Sequence, residues 1–116
     1  MSRQQAERRG RTAETIACWY LRLKGWRILA RRARAPGGEV DIVARRGRIV
    51  AFVEVKARNS AEAAGFALDR HRLRRVAIAA ERLAQRFARD GDSIRIDALF
   101  VVPGRLPRHL QDVWQG

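Results

Sequence analysis

Apolar residues recur every three or four positions in two stretches of the chain, a spacing typical of helices with one buried face. The first stretch is predicted to begin after Thr12, which can cap a helix, and to run to about Lys24, with Gly25 as its stop. The second follows Asp69, another capping residue, and runs to about Arg89. The outer face of this second helix carries a row of arginines, so the sequence predicts a helix with a strongly basic surface.

Around these helices the pattern changes to short runs in which apolar residues alternate with polar ones or follow each other directly, as in β-strands. The predicted strands are Trp26–Ala30, Glu39–Arg45, Ile49–Arg58, Ile94–Val102 and a short last strand over Leu110–Trp114. Arg46 and Gly47 indicate a tight hairpin between the second and third strands, and Asn59–Ala67 is predicted to be a loop. The order α-β-β-β-α-β-β predicts a single small α/β domain, a mixed β-sheet flanked by helices.

Residues 1–11 carry four arginines and no apolar cluster, so they are predicted to form a flexible basic arm, with the folded domain covering residues 12–116. Unbroken apolar runs such as Ile49–Val53 and Ala98–Val102 are far shorter than the ~20 residues that span a bilayer. No secretory signal is visible at the polar start of the chain, and a lone Cys18 cannot form an internal disulfide. We therefore expect a cytoplasmic protein without a membrane partner.

The chain is strongly basic. Its 25 basic and 12 acidic residues leave a formal charge of +13, which favours a polyanionic partner, most simply nucleic acid. An arginine-rich composition inherited from a GC-rich genome would explain arginine in place of lysine, but it would not explain why acids are so few. The residues predicted to hold a nucleic-acid backbone are Arg31, Arg32, Arg34, Arg58, Arg70, Arg72, Arg74 and Arg75.

Two acidic residues meet across the predicted hairpin. Period two along the second strand places Glu39 and Asp41 on one face, with Val40 and Ile42 on the other. Glu54 lies on the third strand, on the face that continues the Asp41 face across the hairpin. A two-residue loop between the strands would set Asp41 diagonal to Glu54, whereas a four-residue loop would set them directly opposite. Either register brings both carboxylates within reach of one point.

Acids that persist among so many basic residues are candidates for metal binding, because a divalent cation offsets carboxylate charge where phosphates also dock. Glu14 could point inward from the first helix onto the same site, so the predicted ligands of Mg²⁺ or Mn²⁺ are Glu14, Asp41 and Glu54. Lys56, on the Glu54 face, is one of only two lysines. A compact charge at this position can orient or deprotonate water, or stabilise phosphoryl charge. An isolated Glu-x-Lys is more simply a salt bridge on a strand face, but the neighbouring Asp41 favours the site.

Three segments, Gly10–Glu14, Gly38–Val43 and Phe52–Arg58, resemble in order and spacing the signature segments of the bacterial YraN-like family, the UPF0102 group. Arg72–Ala80 and Arg95–Asp97 extend this resemblance over nearly the whole chain. The family is similar to the PD-(D/E)XK nuclease superfamily, which includes type II restriction enzymes, archaeal Holliday-junction resolvases and tRNA-splicing endonucleases. The resemblance implies a restriction-endonuclease-like core.

By the same resemblance, Asp41 and Glu54 would be the metal carboxylates, Lys56 the catalytic lysine, and Glu14 the helix-borne acid of resolvase-like members. The family usually has a lysine at the start of the second long helix, where this chain has Arg72. A phosphate contact would survive that change, whereas a role in proton transfer would not.

The sequence thus favours a Mg²⁺- or Mn²⁺-dependent endonuclease or resolvase-like phosphodiester hydrolase, with DNA favoured over RNA as the partner. The alternative is a non-catalytic nucleic-acid-binding module on the same fold, with a role in recombination, repair or DNA uptake. An apolar edge strand near Trp114 could mediate a homodimer, and the tryptophans themselves fit the edge of a core better than a stacking role. Asp97, two residues after Arg95 on one strand face, fits a structural ion pair at least as well as a catalytic role.

Overall fold

The computed structural model describes residues 2–59 and 68–115. Its helices are α1 (Arg3–Leu23) and α2 (Arg70–Phe87), and its strands are β1 (Arg27–Ala35), β2 (Gly38–Arg46), β3 (Ile49–Ala57), β4 (Ser93–Val101) and β5 (Arg108–Leu110). The order α-β-β-β-α-β-β is the predicted one, while residues 60–67 of the predicted loop lie outside the described residues. None of the described helices is long and apolar enough to cross a membrane.

The five described strands form one mixed sheet in the order β1-β2-β3-β4-β5. Strands β3 and β4 are parallel, and the other neighbouring pairs are antiparallel. Parallel neighbours need a crossover connection, and α2 lies in the connection between β3 and β4. Helix α1 covers one face of the sheet and α2 the other, so the predicted mixed sheet flanked by helices is confirmed.

The alternation along β3 decides which side chains reach each helix. Ala51 and Val53 lie in the buried cluster against α1, whereas Val50 and Phe52 lie in the cluster against α2. Glu54 continues the second set and contacts a side chain of α2, as the alternation predicts. This acid therefore lies between the sheet and α2.

Strand β2 breaks its alternation at Asp41. Ile42 belongs to the cluster against α1 and Val43 to the cluster against α2, yet Val40 also lies against α2. The prediction that Val40 shares the face of Ile42 is therefore wrong. On the neighbouring strand Arg32 has a φ of 51°, a left-handed conformation that non-glycine residues seldom adopt. The two irregularities lie side by side and change the side-chain directions at this point of the sheet.

The hairpin turn lies one residue later than predicted. Arg46 pairs with Ile49, so the two-residue turn begins at Gly47, whose φ of 60° favours glycine. Continued along the hairpin, this register sets Asp41 directly opposite Glu54. The opposed arrangement thus arises from a two-residue turn, because the turn is displaced along the chain and not lengthened.

Helix α1 begins at Arg3, so the predicted start after Thr12 is wrong. The hydroxyl of Ser2 accepts the N–H of Gln5 at 3.1 Å, and the Gln5 side chain accepts the N–H of Ser2 at 2.9 Å, which together form a capping box. Thr12 lies inside the helix and donates its hydroxyl to the carbonyl of Arg8. The residues predicted to form a flexible arm are helical from Arg3 onward, because arginine, glutamine, alanine and glutamate are good helix formers.

Two strands also differ in extent from the prediction. Strand β1 continues to Ala35, past its predicted end at Ala30, because the added residues pair with β2 as far as Gly38. Strand β5 covers Arg108–Leu110, so the predicted last strand over Leu110–Trp114 is wrong. Trp114 follows the sheet and does not form its edge.

Candidate active site

Glu54 and Lys56 form a buried ion pair on β3. Their side chains are 4% and 8% exposed, and Lys56 Nζ lies 3.2 Å from Glu54 Oε1. The two residues are two positions apart on a strand, which directs both side chains to one face. Because removing a carboxylate from water costs several kcal/mol, a buried Glu54 requires a cationic partner.

A second cation reaches the same oxygen from α2. Arg72 places Nη2 at 3.1 Å and Nε at 3.2 Å from Glu54 Oε1, and its side chain is 57% exposed. Asp69 begins this helix by accepting two N–H groups of the first turn, which confirms the predicted cap. The helix can lie this close to the sheet because Gly38 has no Cβ, which would otherwise lie 2.1 Å from the carbonyl oxygen of Arg75. The bond from Arg72 to Glu54 was not predicted from the sequence, which indicated only a phosphate contact.

Asp41 lies in the fork where β2 separates from β3. The paired residues of these two strands end at Ile42 and Val53. Beyond them, Asp41 Oδ2 accepts the N–H of Val55 at 2.7 Å, so the carboxylate takes the place of a main-chain acceptor on β2. This hydrogen bond fixes Asp41 between the strands, next to Glu54.

The negative charge of Glu54 opposes the ionisation of Asp41. Burial raises the pKa of Asp41 to about 7, and the negative charges of Glu54 and Glu14 add to the increase, while the N–H of Val55 opposes it. Asp41 is therefore divided between its protonated and ionised forms near neutral pH. A divalent cation would hold both carboxylates ionised, and paired oxygen ligands with surplus negative charge suit Mg²⁺ or Mn²⁺.

Glu14 stands apart from this pair. Its Oε1 accepts a hydrogen bond from Arg32 Nε at 3.0 Å, and its side chain is 13% exposed. Its effect on the pKa of Asp41 means that it is close enough to act through its charge. Within residues 2–59 and 68–115, no three His, Cys, Asp or Glu side chains come together as a metal site. The structure brings Asp41 and Glu54 together and leaves Glu14 bound to Arg32.

A groove of about 180 Å³ leads to Glu54 along α2. It is lined by Glu39, Glu54, His71, Arg72, Arg75 and Val76. A wider hollow of about 570 Å³ adjoins it, shares Glu39, His71 and Arg75 with it, and adds Arg34. Three of the arginines predicted to hold a nucleic-acid backbone thus line the approach to the acidic pair, and an extended anion could reach Glu54 and Arg72 along this path.

Comparison with known proteins bears on the family of this chain. The model of the family described as "Uncharacterised protein family UPF0102" matches residues 13–101. The chain belongs to the UPF0102 family. A UPF0102 protein of Sphingopyxis alaskensis is 62% identical over 115 residues, which cover 99% of each chain. UPF0102 proteins of Rhizorhabdus wittichii and Erythrobacter litoralis are 54% and 51% identical, with 98% and 99% of this chain and 97% and 99% of theirs covered.

This UPF0102 chain is also similar in fold to a solved structure, that of Hjc, a Holliday junction resolvase from the archaeal hyperthermophile Archaeoglobus fulgidus. The TM-score is 0.56 at 21% sequence identity, and the likeness covers 84% of this chain and 72% of the resolvase chain. A likeness at this identity concerns the fold. It confirms the predicted α/β core of the resolvase type.

The other predicted nucleic-acid contacts of the UPF0102 chain lie in three places. Arg70 and Arg74 lie on α2 and line an open groove beside its first turn. Arg31 and Arg32 bond to side chains of α1, on the other face of the sheet. Arg58 lies with its guanidinium 5.5 Å above the Phe100 ring and lines a separate, largely apolar cavity of about 370 Å³ beside α1. Arg58 is therefore set apart from the groove that leads to Glu54.

Asp97 is the centre of a second buried polar cluster, on the α1 side of the sheet. Its carboxylate accepts hydrogen bonds from Arg95 Nε and Nη2 at 3.1 and 2.9 Å and from the N–H of Asp112 at 2.9 Å, and it lies 2.7 Å from His109 Nε2. Burial opposes its ionisation, but the hydrogen bonds from His109 and Arg95 outweigh burial and keep the pKa of Asp97 below its ordinary value. The cluster joins the C-terminal segment to β4, so the predicted ion pair with Arg95 is present in the structure.

Proposed function

We propose that this protein is a metal-dependent nuclease that hydrolyses a phosphodiester bond of nucleic acid. The observation that carries the proposal is the buried Glu54 at the end of a groove walled by arginines, with Lys56 3.2 Å from it and the partly buried Asp41 beside it. A purely structural acid pair would be costly at this place, since burial and the charge of Glu54 hinder the ionisation of Asp41. Binding a cation at the fork would remove that cost.

In the proposed site Asp41 and Glu54 hold Mg²⁺ or Mn²⁺. The main-chain carbonyl of Val55 is a further candidate ligand, because the N–H and C=O of one strand residue point toward the same neighbouring strand. When bound, the ion would polarise the phosphate and lower the pKa of a coordinated water. Glu14 is proposed as a third acid that would reach the ion only on release from Arg32.

The cations beside Glu54 have separate proposed roles. Lys56 is almost fully buried and keeps its ammonium group at the carboxylate, where it can orient the attacking water or stabilise the charge that develops on the phosphate. Arg72 is more than half exposed and can hold Glu54 with one edge of its guanidinium while it meets a phosphate oxygen with the other. Arg34 and Arg75 would hold the backbone further along the groove.

DNA is proposed as the substrate, with RNA as the second choice. Two observations support nucleic acid in general, namely the net charge of +13 and the arginines along the groove. The preference for DNA is supported by the fold likeness to a protein described as a Holliday junction resolvase. The cytoplasm remains the predicted location.

A cleavage assay with a matched lysine control tests the proposal. Lys56→Ala and Asp41→Ala should each lower Mg²⁺- or Mn²⁺-dependent cleavage of branched and single-stranded DNA by at least about 100-fold, the typical contribution of a positioned proton-transfer or charge-stabilising group. Lys24→Ala removes the other lysine, which lies exposed at the end of α1, and should leave cleavage unchanged. Equal cleavage by wild type, Lys56→Ala and Asp41→Ala would overturn the catalytic proposal.

A non-catalytic nucleic-acid-binding module is the second candidate. It is favoured by the cations already bound to the acids, because Lys56 and Arg72 neutralise Glu54 while Arg32 holds Glu14. On this reading the acids position arginines for binding, in a role such as recombination, repair or DNA uptake. Wild-type protein would then bind DNA equally in EDTA and in Mg²⁺, and it would cleave no member of the substrate panel.

A further inference from the structure

A third groove lies beside the first turn of α2. It has a volume of about 510 Å³ and is lined by Arg70, His71, Arg74 and Trp114. His71 also lines the groove at Glu54 and the hollow at Arg34. The three spaces therefore share His71 as a lining residue at the start of α2, and one of them reaches Glu54.

Trp114 is a fixed aromatic surface in this third groove. The preceding residue, Val113, donates its N–H to the carbonyl of Ile96 at 2.7 Å, which ties the segment to β4. The Trp114 side chain is half-buried and packs against the apolar cluster of α2. The guanidinium of Arg70 lies over its ring at 5.2 Å. A ring held in this way loses little conformational entropy when a ligand stacks on it.

The chemistry of the groove suits a nucleotide with an unpaired base. Arginine side chains can hold phosphate, and an aromatic ring or a guanidinium plane can stack on the face of a base. The lining residues carry two arginines and no carboxylate, so an anion meets no repulsion there. A base inside a duplex has both faces covered by its neighbours, whereas a base in a single strand or at a branch has a free face to offer.

The other tryptophans of the chain lie in different surroundings. Trp26 is 3% exposed within the core against α1. Trp19 is 61% exposed on α1 and has Arg22 over its ring, but α1 covers the face of the sheet opposite to α2. Trp114 thus differs from both by lining a groove that shares His71 with the groove at Glu54.

We propose that Trp114 and Arg70 form a stacking subsite for an unpaired base adjacent to the phosphate held at Glu54 and Arg72. The inference rests on the proposed function for the position of that phosphate, and it names the substrate class as DNA with a single-stranded or branched region beside the point of cleavage. Arg74 holds the phosphate of the stacked nucleotide.

Binding measurements in EDTA test this subsite without any dependence on cleavage. Trp114→Leu keeps apolar packing and removes the aromatic ring, so it should weaken binding of a short oligothymidine by about 5- to 100-fold, the range typical of one stacked base. Trp114→Phe should restore most of this loss. Binding of a blunt duplex should change by less than about twofold in both variants, since a duplex offers no free base face.

Two further variants separate stacking from general effects. Trp19→Leu makes the same substitution at the exposed tryptophan of α1 and should leave binding of both DNA forms unchanged. Arg74→Ala should weaken single-strand and duplex binding alike and reduce the salt dependence by about one phosphate contact, whereas Trp114→Leu should leave that dependence unchanged. Circular dichroism and thermal melting identify any variant that fails to fold.

Three results would overturn the subsite. One is single-strand binding by Trp114→Leu equal to wild type. Another is an equal loss for single strand and duplex, and the third is an equal loss in the Leu and Phe variants, which would mean that Trp114 acts through packing. A wild-type protein that cleaves nothing in Mg²⁺ or Mn²⁺ would overturn the nuclease and leave these binding results to decide the subsite separately.

Discussion

Substitution of Asp41 by Asn removes one charge from the acidic pair while leaving its hydrogen bond in place. The Asn side-chain oxygen can still accept the N–H of Val55, which Asp41 Oδ2 accepts at 2.7 Å. What disappears is the ionisation of a buried carboxyl next to Glu54. We expect Asp41→Asn to make the metal-free protein more stable at neutral and alkaline pH while abolishing metal-dependent cleavage.

The size of this gain follows from the pKa of Asp41, which burial and Glu54 raise to about 7. In the unfolded chain the carboxyl ionises near pH 3.9, so between about pH 4 and 7 the folded state binds more protons and the stability contributed by Asp41 falls as pH rises. At 1.36 kcal/mol per pKa unit, Asp41→Asn should gain about 1 kcal/mol at pH 4.5 and about 4 kcal/mol at pH 8. The full value is an upper end, because the fork can relax around an ionised Asp41.

Urea unfolding in EDTA at pH 4.5 and pH 8 measures both values. A difference of about 3 kcal/mol between them corresponds to a shift of roughly 10 °C in melting temperature for a domain of this size. Glu39→Gln is the matched control, since Glu39 lies on the same strand but is exposed and forms only a long ion pair, 3.7 Å, with Arg34. This variant should change the free energy of unfolding by less than about 0.5 kcal/mol.

Divalent ions add a second, independent measurement. Mg²⁺ or Mn²⁺ at about 100 times its dissociation constant should stabilise the wild type by about 2.7 kcal/mol and Asp41→Asn far less. The raised pKa of Asp41 is contradicted if Asp41→Asn is less stable than wild type at pH 8. It is also contradicted if the gain in free energy of unfolding over wild type is the same at both pH values.

Three further predictions concern the scaffold around the site. Gly38→Ala should destabilise the fold by at least about 2 kcal/mol and weaken any cleavage, because the new Cβ would lie 2.1 Å from the Arg75 carbonyl oxygen on α2. Gly10→Ala is the control in α1: its new Cβ meets nothing within 4 Å, so it should stabilise the fold by about 0.5–1 kcal/mol. Urea unfolding of both variants measures these changes. Asp97→Asn should cost about 3 kcal/mol in the same assay, since it leaves Arg95 buried without its carboxylate, while DNA binding per folded molecule stays unchanged. The pKa of Asp97 lies below its ordinary value, so the stability that Asp97 contributes is present above about pH 4 and is lost as the pH falls further. The difference in free energy of unfolding between wild type and Asp97→Asn should therefore shrink below pH 4. A difference that stays constant there would contradict the lowered pKa of Asp97.

The part of the site that could be predicted from sequence is the part set by strand periodicity. Glu54 and Lys56 are two residues apart in an apolar strand, and a strand must place such residues on one face. Their burial and their 3.2 Å contact follow from that placement and from the helix that covers it. The order of the elements is equally local information, since apolar periodicity distinguishes the helices from the strands even where a predicted boundary was wrong.

The remaining features depend on contacts between distant parts of the chain, which periodicity does not encode. The left-handed Arg32 and the shared face of Val40 and Val43 arise where β1 and β2 meet, and they turn Asp41 into the fork. The contact of Arg72 with Glu54 depends on how closely α2 approaches the sheet. The early start of α1 is encoded locally, because Ser2 and its partner Gln5 have the spacing of a capping box. The arginines around them instead predicted a flexible basic arm.

Two cations contact Glu54 and account for the burial of this acid in a chain with a net charge of +13. Any arginine could neutralise a buried carboxylate, yet the two cations that contact Glu54 are one lysine and one arginine. Lys56 is almost fully enclosed, so its charge acts on the Glu54 carboxylate and on whatever group binds beside it. Arg72 is open to solvent and can join Glu54 to an incoming phosphate. Exposed arginines would suffice to bind a polyanion, and Arg72 already pairs with Glu54, so the enclosed Lys56 is the cation that the proposed catalysis would use.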